Sequence, residues 1–315
     1  MVKFGVHLPQ VAVDYDTVKS VALECERVGF HSVWLTDHLL PILGPAQQSY
    51  LECWTTLSAL AERTANLRLG TMVLCNLFRH PPVLAKMAST LDVISRGRLE
   101  LGLGAGWFKT EFDSYGLPFP KASVRIAMLR EALEVIRKMW SDEKPTFQGK
   151  YYSINEALCN PKPIQKPNPP IWIGTLKGGR RMFETIARYA DGWAVGSWYL
   201  PSINEYKQKM EQLRFYCLEA GREFGSLKKA LGVGCILAET RTKLDEKTKK
   251  FRPAQVSIEK CETTQTQICG LPDECVEILR KYVDAGVDHF MMDFPDVTDL
   301  ETIRLFGDHV IPFLK

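Results

Sequence analysis

No run of apolar residues in the sequence approaches the roughly 18 that a membrane-spanning helix needs, and no CxxC pair is present. Nine cysteines lie scattered at positions 25, 53, 75, 159, 217, 235, 261, 269 and 275, without histidines at ligand spacing. That scatter argues against a zinc site or a disulfide framework and leaves buried free thiols as the expectation, with no metal. Charge of one sign is lacking too: 40 basic residues are interleaved with 37 acidic ones, for a formal net charge of +3. Neither nucleic acid nor a membrane surface is therefore an expected partner. The N-terminal MVKFGVHLP runs straight into a strand pattern with no signal peptide, so the expected location is cytoplasmic.

What the sequence does have is rhythm. Over 315 residues, short β-branched or apolar runs alternate with amphipathic segments, the pattern of repeated βα units around a parallel sheet. Strands are expected at 4–8, 32–36, 68–74, 99–104, 171–174, 192–196, 230–238 and 289–294. Helices are expected near 15–28, 52–64, 82–94, 122–140, 178–190, 201–222, 272–285 and 299–313. Eight repeats with no strand left over favour a closed barrel: an α/β fold, a single (β/α)8 TIM barrel spanning residues 1–315. Gly29 and Gly286 follow their helices as left-handed caps would, and Pro272 with Asp273 suits a helix start.

Two insertions interrupt the rhythm, after the fourth and seventh strands. Residues 141–170 predict a small hairpin around TFQGKYYSI, then a proline-rich connection, NPKPIQKPNPP. Residues 239–270 are charged and poor in apolar side chains, which predicts a solvated loop or surface helix; closure of part of it over a substrate is the alternative.

In such a barrel, reactive groups gather on the loops after the strands. The second strand ends in Thr36-Asp37-His38, a carboxylate and an imidazole that either handle protons or fix the loop by hydrogen bonds. The third runs through Gly70, Met72, Val73 and Asn76 to Arg79 and His80; glycine there marks a bulge, a backbone approach to a ligand, or tight packing, and His80 suits a loop or cap role. The fourth carries Gly104, Ala105, Gly106 and Trp107, then Glu111, a place where a flat ring can lie on bare backbone. Its GLGAG stretch lacks the helix and acidic partner of a dinucleotide fingerprint, so a Rossmann domain is not implied. The fifth ends in Gly174-Thr175 and is followed by Gly178-Gly179-Arg180-Arg181 at a helix start, a natural phosphate cradle or else a plain glycine-rich turn. After the sixth, Gly196 either completes a cofactor wall or fills the barrel.

Taken together, the stretches VWLTDHL, RLGTMVLCNLFRHPPVLAKMASTLDVISRGRLELGLGAGWFKTEFDSYGLPFP, NPKPIQKPNPPIWIGT, ARYADGWAVG and YVDAGVDHFMMDF resemble the luciferase-like monooxygenase superfamily, in particular its branch of coenzyme F420-dependent oxidoreductases. The resemblance covers about two thirds of the chain in the proper order. It implies a deazaflavin ring over the end of the third strand, with a non-proline cis peptide at Met72-Val73. It further implies Asp37 and His38 beside the ring, Gly104, Ala105 and Gly106 as its wall, and Gly174, Thr175, Gly178 and Gly179 around the cofactor phosphate. Where some sugar-oxidising members carry an acid soon after the fourth-strand glycines, this chain has Trp107, with Glu111 four positions on. That departure argues against sugar-phosphate oxidation.

The expected function is hydride transfer between F420 and a small organic substrate, with His38 moving a proton and Asp37 and Glu111 as further catalytic candidates. Met72, Val73, Asn76, Trp107 and Gly196 complete the expected cofactor contacts. Two rivals keep the fold: a two-component monooxygenase using reduced FMN and oxygen, supplied by a separate cofactor reductase, and a non-catalytic flavin-binding barrel. Dimerisation is common in the family, which makes a homodimer the assembly the resemblance implies.

Overall fold

The computed structural model of the chain describes residues 1–175, 179–196, 200–251 and 267–314. Eight parallel strands close on themselves: β1 (Lys3–His7), β2 (Ser32–Leu35), β3 (Arg68–Thr71), β5 (Leu99–Gly104), β8 (Ile171–Gly174), β9 (Gly192–Val195), β10 (Lys228–Leu237) and β12 (His289–Asp293). Each pairs with the next in that order, and pairing of β12 with β1 completes the ring. Around it run α1 (Tyr15–Arg27), α2 (Cys53–Arg63), α3 (Pro81–Ile94), α5 (Ala122–Ser141), α6 (Arg180–Tyr189), α7 (Ile203–Glu219), α9 (Pro272–Asp284) and α10 (Leu300–His309). The expected TIM barrel is the observed one.

Local chemistry accounts for these elements. In α1, Val18, Val21, Ala22 and Cys25 recur at helical spacing on the buried face, and the Asp14 carboxylate caps the first turn by accepting from the Thr17 N–H. Pro272 occupies the first position of α9, while Gly29 and Gly286 hold φ of 85° and 100° just beyond their helices. Strands buried on both faces need mostly apolar or small residues, as in the fully buried LELGLG of β5, whose one charged side chain, Glu100, is paired with Arg68 and Trp172 Nε1. The hairpin expected in the first insertion is present as β6 (Phe147–Gln148) against β7 (Ser153–Ile154).

Three features depart from the sequence expectation. The third strand does not run unbroken to residue 74: it stops at Thr71 and resumes as β4 (Leu74–Cys75), which pairs with the end of β5. Between them the Met72–Val73 peptide is cis, as the resemblance implied. The short helix α4 (Lys109–Ser114) stands where only a loop was expected. The second insertion contributes α8 (Arg241–Phe251), in keeping with the surface helix expected, and also β11 (Gln267–Gly270), a strand not expected there, added in parallel beside β10. Residues 252–266, Cys261 among them, lie outside the described set; the eight described cysteines form no disulfide with one another, and all but Cys269 are buried. Among the described residues no helix is long and apolar enough to cross a membrane.

The barrel interior is filled, not open. Trp34, Trp172, Ala194, Ala230 and Met291 form its packed centre, with Met72 on top. Trp34 and Trp172 meet edge to face at 5.9 Å, and each also meets the His289 ring, at 5.6 and 5.7 Å. Their indole N–H groups are satisfied by Ser32 Oγ at 2.9 Å and Glu100 Oε2 at 2.6 Å. Glycines on neighbouring strands make room for these rings: a Cβ on Gly70 would sit 2.1 Å from the Trp34 ring, and one on Gly192 would sit 2.2 Å from that of Trp172.

His289 is fully buried, and desolvation holds its pKa well below the ordinary 6.5, while His31 beside it is lowered to about 4 for the same reason. Both imidazoles are thus neutral when folded, and the unfolded chain binds protons more readily. Stability is therefore complete above about pH 6.5 and falls as pH drops from there toward 4. Urea unfolding at pH 7 and pH 5 should show a lower midpoint at pH 5, and His289→Gln should flatten that dependence. In the same assay Gly192→Ala should cost about 1–3 kcal/mol by overpacking Trp172, whereas Gly225→Ala, with no atom nearer than 3.6 Å, should be nearly neutral.

Candidate active site

The residues singled out from sequence sit at the C-terminal ends of neighbouring strands, on one mouth of the barrel. The bulge at Met72–Val73 organises that mouth. Its turn pushes the Thr71 carbonyl against β5 so closely that a Cβ on Gly102 would lie 1.9 Å from the oxygen. Val73 then lays its side chain over two more glycines: a Cβ on Gly104 would be 2.7 Å from Val73 Cγ2, and one on Gly174 would be 3.0 Å from Cγ1. Bare backbone at Gly104 and Gly174 is thus occupied by Val73, so these glycines support the bulge rather than presenting an open shelf for a ring. Gly106 has φ of 76°, and a Cβ there would approach Cys75 Sγ to 2.7 Å. Ala105 is half-buried against the outer core.

Asp37 is the second element of this arrangement. Its carboxylate is 3% exposed, accepts two bonds from the Arg79 guanidinium at 2.8 and 2.9 Å, and accepts a third from the Cys75 N–H at 2.8 Å. Burial pushes the Asp37 carboxyl up, opposed by the Arg79 guanidinium; burial alone would lower Arg79, and its bonds to Asp37 outweigh this and raise it. Arg79 also reaches Glu52 Oε1 at 2.5 Å, and Glu52 caps α2 through the Trp54 and Thr55 N–H groups. Among the described residues both Asp37 oxygens are engaged in holding the β4 turn, which gives the residue expected at the cofactor a structural part as well.

His38 stands apart from that pair. Its Nδ1 lies 3.0 and 3.1 Å from the two Glu111 oxygens, and Glu111 Oε1 also accepts from the Leu39 N–H at 2.5 Å and the Leu40 N–H at 3.2 Å. A carboxylate only accepts, so Nδ1 carries a proton toward Glu111 and Nε2 is the nitrogen not committed to that bond. Glu111 is 1% exposed on α4, so it acts from beneath the loop and not on a substrate. The same loop is clamped from β1's side by Gln10, which accepts from Thr36 N at 2.7 Å and donates to Thr36 O and Leu51 O. Around the imidazole stand Tyr50, Trp107 and Phe108, with ring centroids 6.5, 5.9 and 6.0 Å away.

The remaining candidates lie to either side. Asn76 is 1% exposed, donates from Nδ2 to Tyr152 OH at 3.2 Å, and keeps Oδ1 without a partner. His80 begins α3 without a capping bond from its side chain and packs against Tyr152. Thr175 N donates to Ala194 O at 3.2 Å, Gly196 follows β9, and Gly178 falls outside the described residues. Gly179 starts α6 with no capping side chain and open space where a Cβ would be, and Arg180 and Arg181 beside it are exposed. Residues that the sequence did not single out are Arg79, Glu52, Gln10 and Tyr50. The one visible signal was that Arg79 is the sole cation of segment 72–80.

The model described as luciferase-like monooxygenase matches residues 2–289. The chain belongs to the luciferase-like monooxygenase family. It is an oxidoreductase of that family. Among its relatives is the F420-dependent glucose-6-phosphate dehydrogenase of Microbacterium testaceum, 30% identical over 312 residues, covering 92% of this chain and 90% of that one. The fold is shared with an F420-dependent secondary alcohol dehydrogenase in complex with an F420-acetone adduct, at a TM-score of 0.83 and 21% identity over 100% of this chain and 99% of that one. It is shared as well with the EDTA monooxygenase of Chelativorans sp. BNC1, at a TM-score of 0.82 and 15% identity, covering 99% and 93%.

In this luciferase-like barrel, removing the Asp37 charge would leave the partly buried Arg79 guanidinium with Glu52 alone as its ionic partner. Asp37→Asn should cost about 3–5 kcal/mol in urea unfolding, and a variant as stable as the parent would show that the pair does not hold the turn.

Proposed function

We propose that this enzyme transfers a hydride between coenzyme F420 and a small organic substrate at the barrel mouth. The observation that carries the reading is the His38–Glu111 pair: an imidazole at the barrel mouth, oriented through Nδ1 by a buried carboxylate, with Nε2 outside that bond. The relative named an F420-dependent glucose-6-phosphate dehydrogenase favours F420 as the cofactor.

The residues present fit such a cofactor. Met72 and Val73 give the mouth an apolar floor, and Asn76 Oδ1 is a buried acceptor without a partner among the described residues. The uncapped start of α6 at Gly179, with Arg180 and Arg181, suits a phosphate. The deazaflavin, when bound, supplies the two-electron acceptor or donor that no side chain provides.

The chain's own work is to position and to move one proton. In the oxidation of an alcohol to a carbonyl, His38 Nε2 would take the hydroxyl proton, and a bound deazaflavin would supply the acceptor for the two electrons. In the reverse direction the same nitrogen returns the proton. Glu111 keeps Nδ1 protonated and the ring oriented, and so supports the imidazolium that forms. Trp107, Phe108 and Tyr50 keep water from the imidazole faces. No separate reductase is required by this chemistry, since the substrate itself exchanges electrons with the cofactor.

His38→Ala should lower kcat by about 10²–10⁴-fold while leaving the dissociation constant for F420 unchanged, measured by cofactor absorbance and by fluorescence titration. Unchanged kcat would remove His38 from the proton step, and lost cofactor binding would give it a structural role instead.

A further inference from the structure

The end of the barrel opposite the candidate active site carries charge that the proposed reaction does not use. A Cβ on Gly5 would lie 2.6 Å from Trp34 Nε1, and one on Gly70 would lie 2.1 Å from the same ring, so both glycines face the packed centre. Lys3 and Arg68, two residues earlier on β1 and β3, therefore share that inward face at the lower end of the barrel. Lys228 stands in the same relation to Ala230 of the packed centre, and its Nζ lies 6.0 Å from the centre of the Trp172 ring. Lys3 pairs in register with His289, and His31, just before β2, meets the His289 ring at 5.7 Å. Three cations and an imidazole thus gather beneath Trp172 and His289.

The acids facing this cluster are already engaged. Glu100 takes the Arg68 guanidinium on one oxygen and the Trp172 N–H on the other, and Arg68 is further committed to Gly97 O, Leu99 O and Gln165 Oε1. Asp288 accepts from the Lys229 N–H at 2.9 Å and lies 3.4 Å from Lys229 Nζ. His289 Nε2 is bonded to Ser32 Oγ at 3.0 Å. Among the described residues the side chains of Lys3 and Lys228 make neither a hydrogen bond nor an ion pair, and the buried His31 Nε2 has no partner. Burial, and then the Lys228 charge, hold the Lys3 pKa below its ordinary 10.5; burial, and then Lys3, Arg68 and Lys228, lower that of His31.

We infer that the lower end of the barrel, between Lys3, Lys228 and His31, is a binding site for a tetrahedral dianion of the phosphate type. Two ammonium groups without counter-charge balance a charge of −2, whereas a single carboxylate would leave one of them unmatched. Their donors reach two oxygens of such an anion, and His31 Nε2 is placed to donate to a third. The site lies at the other end of the barrel from the head of α6 and depends on no reading of the reaction.

The test follows the His31 ring by NMR of the full-length protein carrying isotope-labelled histidine, the signal assigned with His31→Gln, in sodium chloride and in sodium sulfate of equal ionic strength. Sulfate is the probe because it stays a dianion throughout the titration. Its binding is expected to be saturable and to raise the His31 pKa from about 4 toward the ordinary 6.5. Lys228→Gln and Lys3→Gln should each weaken sulfate about tenfold, while Arg180→Ala, at the head of α6, should leave the His31 response unchanged. Lys228 is exposed, and its replacement should keep the urea midpoint in chloride at or above that of the parent, which serves as the folding control. Calorimetry at about pH 8 with inorganic phosphate and with ethyl phosphate, both dianions there, should show binding that Lys228→Gln removes for whichever of the free ion and the ester the site accepts. No saturable His31 response to sulfate, a response unchanged in both lysine variants, or one abolished by Arg180→Ala would each overturn the inference.

Discussion

Everything at the barrel mouth depends on how the chain leaves β3. The Thr71 carbonyl and the Val73 side chain occupy space that only glycine at 102, 104 and 174 leaves free, and the turn is fastened from the other side by the buried Asp37–Arg79 pair. Removing one charge of such a pair is far costlier than never having had it, because the remaining one stays desolvated. The pair is therefore a commitment of the fold. It joins the loop after β2 to that after β3, and through Glu52 it reaches the start of α2, so three elements take their positions from one guanidinium.

The same scaffold sets the character of the site. Beneath the mouth the barrel is plugged by two tryptophans and a neutral histidine, whose polar atoms are satisfied within the barrel by Ser32 and Glu100. A rigid, dry floor is the setting in which an oriented imidazole acts effectively, because no solvent has to reorganise around it. Glu111 completes the arrangement from α4 by gathering two backbone N–H groups and His38 Nδ1 onto one carboxylate.

Much of this was legible in the sequence because the signals were local. Strand runs bounded by glycine, the caps at Gly29 and Gly286, and the hairpin around Gly149 are each decided within a few residues. The candidates at 37–38, 72–76 and 104–111 come together in the structure, since strand ends in one barrel share one mouth. The roles were harder. Asp37 meets Arg79 across 42 positions and His38 meets Glu111 across 73, and nothing in either neighbourhood marks its partner. The glycines at 104 and 174 looked like room for a ligand, because a missing Cβ does not say whether a ligand or another side chain fills the space. The six-residue α4 is too short to show a period, and β11 lies in a stretch whose charge masked it. The cofactor was readable only through resemblance, as no single motif separates a deazaflavin from a flavin.

The central claim, a deazaflavin held over the Met72–Val73 turn, is tested most directly by titrating the purified chain in parallel with F420 and FMN and following tryptophan quenching. The account predicts saturable quenching by F420, with FMN binding markedly weaker. Tight FMN binding without F420 binding would contradict it and would make this barrel a flavin protein.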